Sequence, residues 1–594
     1  MSYPTLTIEV ETSTGVWTSY STRMRAVKTK RGRRRAIDPP TAGIANLTLS
    51  NEDRALDPEH AASLIRTGQN IRIRGVWNAI TYPIFTGTID RITQRYNAPR
   101  GAVADLECSD AGADLEKSKL ISTWEVTMKG FVKRQWLRFG EAAGNIANDS
   151  SGNGRYGIYE PFVSLGETGL QFGDPDTAVK FDSTGYVLLT PGSFGPLIPF
   201  SINFTLYMPA PAAPVHLMFD VMYPDGVRIW VDTAGLLHVQ CVVNGVQTAY
   251  ARTANPVTGN GKQISIMFEA GQPIKIWNTG VFDNVAQVGT GAAGVQNSYH
   301  VLGYLSGATM DEWFITDYIP SAAQLQSMID SNPNGWAFDT VAERIERILG
   351  FLGWNLANIE WLGSDTKQLL PTLLGEGTLE HIQALMDTIE GTAYVTADGK
   401  LRIITREYRD SSPFADSKAT FGDGAGELGY VGMDGYSLDT ELVTNIVRRY
   451  NLDAVTMATD NASIATYGTR DQTEQAEVES LLLDPSLDFD LAQYRLIHLK
   501  DALPTLDDLV LMPAKSPATH WPQALGRELA ERITLIRRPQ NVGLPIQREM
   551  IIEGIEHDIA PKKWTTTFNI DATNALRFFQ FNNTVWGSPD WRFQ

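Results

Sequence analysis

Eight basic side chains, Arg23, Arg25, Lys28, Lys30, Arg31, Arg33, Arg34 and Arg35, fall within the first 36 residues, against two acids, Glu9 and Glu11. Clustered cations bind carboxylates and phosphates, guanidiniums in a bidentate way, so Lys28 to Arg35 reads as a basic loop able to dock on an acidic partner surface. The docking candidates are Lys28, Lys30, Arg31, Arg33, Arg34 and Arg35. A solvated hairpin tip is the plain alternative. Direct DNA contact comes after both, because a chain of net charge −18 lacks the cationic surface that displaces counterions from phosphate.

Catalytic chemistry has few footholds. Asp311-Glu312 is an acidic pair of the kind glycoside hydrolysis uses, but neighbours on a strand face opposite sides, so one satisfied buried acid and one solvated acid are expected. Asp507-Asp508 reads as a turn at a strand start. The histidines, His60, His216, His238, His300, His381, His498, His520 and His557, show no metal-ligand spacing, and no HExxH, CxxC or EF-hand loop occurs. Gly289 to Gly294 and Gly424 to Gly429 both fit GxGxxG. Each runs into strand-like sequence instead of the helix whose N-terminus would hold a pyrophosphate. No GxSxG elbow is present. The expectation is a protein with no catalytic residue, no metal and no cofactor.

These side chains need a β framework to hold them. A chain of 594 residues is too long for one core and predicts about four modules. With 51 Gly and 30 Pro beside 43% hydrophobic residues, a turn-rich, mainly β protein with some α+β character follows. No stretch has the length of apolar sequence a membrane helix needs, and the first fifteen residues lack a secretion signal. Cys108 and Cys241 fall in different modules, so each reads as a small buried residue.

Alternation marks strands at Thr5 to Val10, Ile44 to Leu49 and Ile71 to Val76, and sends Ala104, Leu106 and Cys108 to one face. Residues 1–128 are therefore expected as an antiparallel barrel or sandwich. From Trp136 the texture turns to Gly, Asn, Asp and Ser punctuation, with a hairpin signal at Asn244-Gly245. This predicts a β-sandwich over 137–330, closed by a helix at Ser321 to Ile329 and bounded by Asn332 to Gly335. Thr340 and Glu343 make a capping box before an apolar stripe, and a second helix follows Thr378, leading to a hairpin turning at Asp398-Gly399. That unit, 336–412, is α+β. Over 413–580 a second β-barrel is expected, with a helical insertion at Asp488 to Leu499 and a closing hairpin, Arg548 to Ile559 with Trp564 to Ala572. Residues 581–594 remain as a tail.

Three stretches resemble the tail-tip, or baseplate hub, proteins of long-tailed bacteriophages, often called minor tail proteins. They are Arg31 to Arg35 followed by Ala42 to Ser50, Ile71 to Arg74 and Tyr82 to Gly87; then Gly377 to Met386 with Asp398 to Arg402; then Ser463 to Arg470, Gly554 to Ile559 and Trp564 to Phe568. Their order along about 400 residues, more than any single motif, carries the resemblance. It implies a homotrimeric hub in which two tube-type β-barrels per subunit continue the tail tube, located at the distal end of the virion tail. The partners it implies are the distal tail protein ring, the tape measure protein and other minor tail proteins, with double-stranded DNA only in transit. The middle block resembles a laminin-G-like, concanavalin-A-like jelly-roll in Asn148 to Gly154, Thr177 to Asp182, Gly185 to Val187 and Met310 to Phe314. Such domains often bind glycans, some through calcium, but no calcium-binding group of acids is recognisable here. Host cell-wall sugar contact and a purely architectural bracket compete for this block. A tail-associated cell-wall hydrolase and a free glycan-binding adhesin are the alternatives for the whole chain.

Overall fold

Period-two alternation does build the terminal modules. The computed structural model describes residues 2–35, 41–97, 101–120, 122–171, 174, 176–182, 184–193, 199–220, 226–289, 300–331, 336–371, 377–434, 436–438, 440–441, 443–452, 454–473, 475–539, 542–572, 577–578 and 591–592. The fold is mainly β, with several antiparallel sheets and a jelly-roll-like sandwich. Two compact units form, one from Met1–Leu120, Asp339–Leu370 and Glu376–Gln594, the other from Ile121–Phe338 with Pro371–Gly375. The boundary signal at 332–335, the Thr290 to Gly294 part of one glycine stretch and most of the 581–594 tail lie outside the described residues.

In the first unit the two terminal modules share one fourteen-stranded sheet. Strand Met24–Gly32 pairs on one side with Ile44–Ser50 and on the other with Ile546–Ala560, in register from Val27 opposite Ile559 to Gly32 opposite Gly554. Strand Ile546–Ala560 is long enough to serve both modules. Its first half pairs with Arg532–Arg537, its second with Met24–Gly32, and Lys563–Ala572 runs along its other edge. At the changeover the backbones crowd. A Cβ on Gly554 would collide with the Arg33 carbonyl oxygen, and one on Gly32, at φ +80°, with that of Glu553.

Two cores lie along this sheet. The first gathers Ile8, Val10, Leu47, Ile73, Phe85 and Leu106 with Trp521, Leu525, Ile559 and Trp564 from the far end of the sequence. Trp521, on helix Pro517–Gly526, sits 5.1 Å from the Trp564 ring and 6.0 Å from that of Trp77. The second core holds Phe421, Leu506, Ile533, Met550, Ile552 and Phe568.

The helix, helix, hairpin unit forms as its pattern predicts. Thr340 Oγ1 accepts from the Glu343 amide, Glu343 accepts from the Thr340 amide at 2.8 Å, and helix Val341–Phe351 turns Ile345 and Leu349 inward against Ile382, Leu385 and Met386 of helix Thr378–Ile389. Leu482 and Leu491 complete this core, so the expected break at 412/413 separates no compact unit. Strand Ile359–Leu362, absent from the sequence reading, joins the hairpin in parallel.

A buried arginine locks the later insertion in place. Arg449 on strand Ile446–Asn451 reaches Asp488 at 2.9 Å and Glu390 at 2.7 Å, and donates to the carbonyl oxygens of Asp387 and Thr388. Glu390 is the C-cap of its helix at φ +56°, a left-handed conformation costly for a side-chain-bearing residue. The two ion pairs that Glu390 makes, with Arg449 and Arg495, hold it there.

The second unit packs a nine-stranded on an eight-stranded antiparallel sheet around Phe181, Phe204, Ile229, Val239, Ile266 and Trp313. Asn244 and Gly245 take positive φ in the hairpin turn between Leu237–Val243 and Val246–Arg252, as two-residue turns of this kind require. The unit starts earlier than the expected 137. Helix Thr123–Lys129, assigned from sequence to the N-terminal module, buries Trp124 and Met128 against Met267, Trp277, Phe314, Leu325 and Met328 on the outer side of the eight-stranded sheet.

Candidate functional site

The basic segment is largely strand, not loop. Lys28, Lys30 and Arg31 lie within Met24–Gly32, an interior strand of the large sheet. Lys30 meets Glu556 at 2.9 Å, Arg31 meets Glu528 at 2.7 Å, and Arg33 meets Glu553 at 2.7 Å. Arg31 is buried, so its pair with Glu528 cross-links the two terminal modules where solvent screening is weak. Lys28 and Arg34 are exposed, and Arg35 is half-buried. The period-two pattern continues through this run, with Val27, Thr29 and Arg31 buried, and that alternation was the signal for a strand.

Arg33 also lines a cavity of about 660 Å³ within the first unit. Its walls include Asp110, Glu390, Arg409, Tyr494, Arg495 and His498. Most of these charges are spent on one another. Arg495 binds Glu390 and Asp387, and Arg409 donates to the Tyr494 hydroxyl at 2.7 Å. His498 Nδ1 donates to the Tyr494 carbonyl oxygen, and burial holds its pKa below the ordinary value. Burial pushes Asp110 up to about 6.

The acidic pair departs most from expectation. Asp311 and Glu312 are both buried, at 2% and 1% exposure. Opposite-facing neighbours require regular strand geometry, and strand Ala308–Thr316 has a bulge here. Thr205 pairs with Asp311 and Asn203 with Phe314, so two residues face Phe204 alone, with Glu312 at φ +53°. The bulge brings the two side chains into one electrostatic cluster.

At its centre stands Arg138, 2.7 Å from Asp174, 2.8 Å from Asp176 and 3.1 Å from Glu312. Trp136 Nε1 donates to the other Glu312 oxygen, and Asp311 Oδ2 accepts from the Leu170 amide at 2.8 Å. Burial, then the neighbouring acids, raise both Asp311 and Glu312 above the carboxylate range. Burial alone would lower the Arg138 guanidinium, but Glu312, Asp174 and Asp176 outweigh it and raise its pKa. Asp174, Asp176, Glu312 and, at 4.0 Å, Glu125 share one guanidinium with Asp311 behind them, so acid outnumbers base and the two buried carboxyls favour their protonated form.

Beside it lies a cavity of about 380 Å³ lined by Glu125, Lys129, Lys133, Trp136, Arg138 and Ser150. The Lys133 ammonium donates to the Met128 and Phe131 carbonyl oxygens and sits 4.3 Å from the Trp136 ring centre. Burial pushes it down to about 8, against the attraction of Glu312. The Asn148 to Gly154 loop is braced by Asp149, whose carboxylate accepts from the amides of Trp136, Ser151 and Arg155.

Among the described residues no group of three or more His, Cys, Asp or Glu side chains is arranged to hold a metal ion, and no helix is long and apolar enough to cross a membrane. Gly424 to Gly429 is a turn with no helix following it, its Gly424 amide bonded to Glu427. Asp508 lies inside strand Pro504–Leu511, at a bulge, and not at a strand start. Cys108 and Cys241 are both buried and are not joined by a disulfide.

No family model matches the chain, and no curated protein does. Similar solved structures include the binding domain of botulinum neurotoxin serotype D, 12% identical over 34% of this chain and 52% of that one, with a TM-score of 0.28. Another is the binding domain of Paraclostridial Mosquitocidal Protein 1, 14% identical over 35% and 54%, with a TM-score of 0.29. A third is the binding domain of botulinum neurotoxin DC in complex with SialylT, 13% identical over 34% and 51%, with a TM-score of 0.28. The chain spans about half the length of each of these solved chains.

Proposed function

We propose that this chain is a structural, non-catalytic subunit of a bacteriophage tail tip. It forms a homotrimeric hub that caps the tail tube, docks the distal tail ring, the tape measure protein and other minor tail proteins, and opens for DNA ejection. The observation that carries this reading is the pairing of Met24–Gly32 with Ile546–Ala560, which merges both ends of the sequence into one sheet with two cores. Three such subunits offer six sheet-built modules, the number a six-fold tube wall presents. Strands Val16–Ser19 and Gly432–Asp434, at the ends of the sheet path, are the edges a neighbouring subunit would meet. A net charge of −18 favours DNA sliding past without adhering. The sandwich, inserted as a unit of its own, takes the role of contact with host cell-wall glycan.

The hydrolase alternative turns on Asp311 and Glu312. Both are buried, and neither lines the adjacent cavity, so no substrate bond lies between them. Light scattering on the purified chain, with cryo-electron microscopy of intact particles, tests the hub. A trimer at the tail tip is the expected result; a monomer absent from virions, or cell-wall clearing lost with a single carboxylate substitution, overturns it.

A further inference from the structure

Positive charge is scarce on a chain of net charge −18, yet the cavity beside Trp136 has three cations on its wall, Lys129, Lys133 and Arg138, against one acid, Glu125. Four pieces of the second unit bring them together. Helix Thr123–Lys129 supplies Glu125 and Lys129, and the connection after it supplies Lys133. Trp136 comes from strand Gln135–Leu137 and Arg138 from just beyond its end, while the loop braced by Asp149 adds Ser150 and Ser151.

These charges are not equally free. Arg138 is saturated, with Asp174, Asp176 and Glu312 all within 3.1 Å. Glu125 stands between Lys129, at 3.4 Å, and Arg138, at 4.0 Å. Lys133 forms no ion pair among the described residues; its ammonium donates to the Met128 and Phe131 carbonyl oxygens and lies 4.3 Å from the Trp136 ring centre. Two carbonyls take two of the three donors of an ammonium, so one remains. A full positive charge is thus held half-buried at the cavity wall with only partial charges to balance it.

We propose that this cavity binds a phosphate ester, with the phosphoryl group against Lys133 and Lys129 and the alcohol portion in the remaining volume. Lysine is a point charge with rotatable donors and suits a tetrahedral oxyanion, whereas a flat carboxylate is best held by a guanidinium fork, and the fork here is already committed. At about 380 Å³, against about 30 Å³ for one water in the liquid, the cavity has room for more than a bare oxyanion. This deepens the glycan-contact role given to the sandwich, a sugar phosphate being the expected source, and is independent of hub assembly. A monomer that binds the ester would sink the hub alone, and a trimer that does not would sink this inference alone.

The test is calorimetric titration of the full chain with glucose 1-phosphate, using glucuronate as the carboxylate control, glucose as the neutral one and inorganic phosphate as the free anion. The ester should bind about tenfold tighter than any of the three, the scale of one charge-assisted hydrogen bond, and Lys133→Met should erase that preference. Because Lys133→Met can disturb the fold, proton uptake by the unaltered chain provides a second reading. Burial holds Lys133 down to about 8 against the attraction of Glu312, and the other charges on the cavity wall are Glu125, Lys129 and Arg138. A phosphate dianion favours the charged ammonium, so binding at pH 8 should draw roughly half a proton onto Lys133, read from the dependence of the heat on the buffer's ionisation heat. Lys133→Arg, which is always charged, should keep binding and lower the uptake by that amount. Equal binding of the ester and any control, no binding, no proton uptake at pH 8, an unchanged uptake in Lys133→Arg, or wild-type affinity in a folded Lys133→Met variant overturns the proposal.

Discussion

Two arginines, one in each unit, solve the same problem in opposite ways. Arg449 and Arg138 are each surrounded by carboxylates, and each network includes a glutamate in the left-handed region, Glu390 at φ +56° and Glu312 at φ +53°. Around Arg449 two carboxylates and two carbonyl oxygens take up the guanidinium donors. Around Arg138 three carboxylates crowd one guanidinium, Glu125 reaches it at 4.0 Å, and Asp311 stands behind them. The first is a fixed pairing of charges, whereas the second keeps its balance only by retaining protons. Ion-pair lists look alike for the two; the surplus of acid is what separates them.

The sharpest way to break this comparison is Arg449→Leu. It leaves Asp488 buried without its cation and Glu390 with Arg495 alone, and should cost about 3–5 kcal/mol, read as a lower melting transition of the first unit by calorimetry. Arg138→Leu should cost less, about 2 kcal/mol at mildly acidic pH, because its carboxylates can take up protons, and more at alkaline pH. The wild-type second unit should itself lose stability as pH rises. Acids whose folded pKa is raised contribute stability that is complete below their unfolded value of about 4 and disappears as pH passes the folded value. Its melting temperature should therefore fall as pH rises from about 4 to about 8. Glu312→Gln keeps an oxygen for Trp136 and removes one titrating group, so it should flatten that slope and change stability by about 1 kcal/mol or less. Smallest of all, Arg34→Ser, at an exposed position beyond the paired strand, should stay within about 0.5 kcal/mol.

Elements with strong local signals were legible in the sequence. Helix Asp488–Leu499, the capping box at Thr340 and the hairpin closed by Pro561 and Lys562 needed only near neighbours to be read. What escaped was set by distant contacts. The bulge at Glu312 defeats the face rule and depends on how strand Phe200–Met208 pairs. Helix Pro517–Gly526 contains Pro522, a residue that argues against a helix, and is stabilised by burying Trp521. The basic run drew attention by its charge, but its partners Glu528, Glu553 and Glu556 lie some 500 residues away.

One of the two neighbours of strand Met24–Gly32 is made only after more than five hundred further residues have been added. At ordinary rates of about 5–20 residues per second that is a delay of roughly half a minute to two minutes. Throughout it, a bare backbone edge and an unfilled core await Trp521 and Trp564. Translation order thus makes the nascent N-terminal module dependent on chaperone cover, and a chain stopped short of its last hairpin would be prone to aggregate.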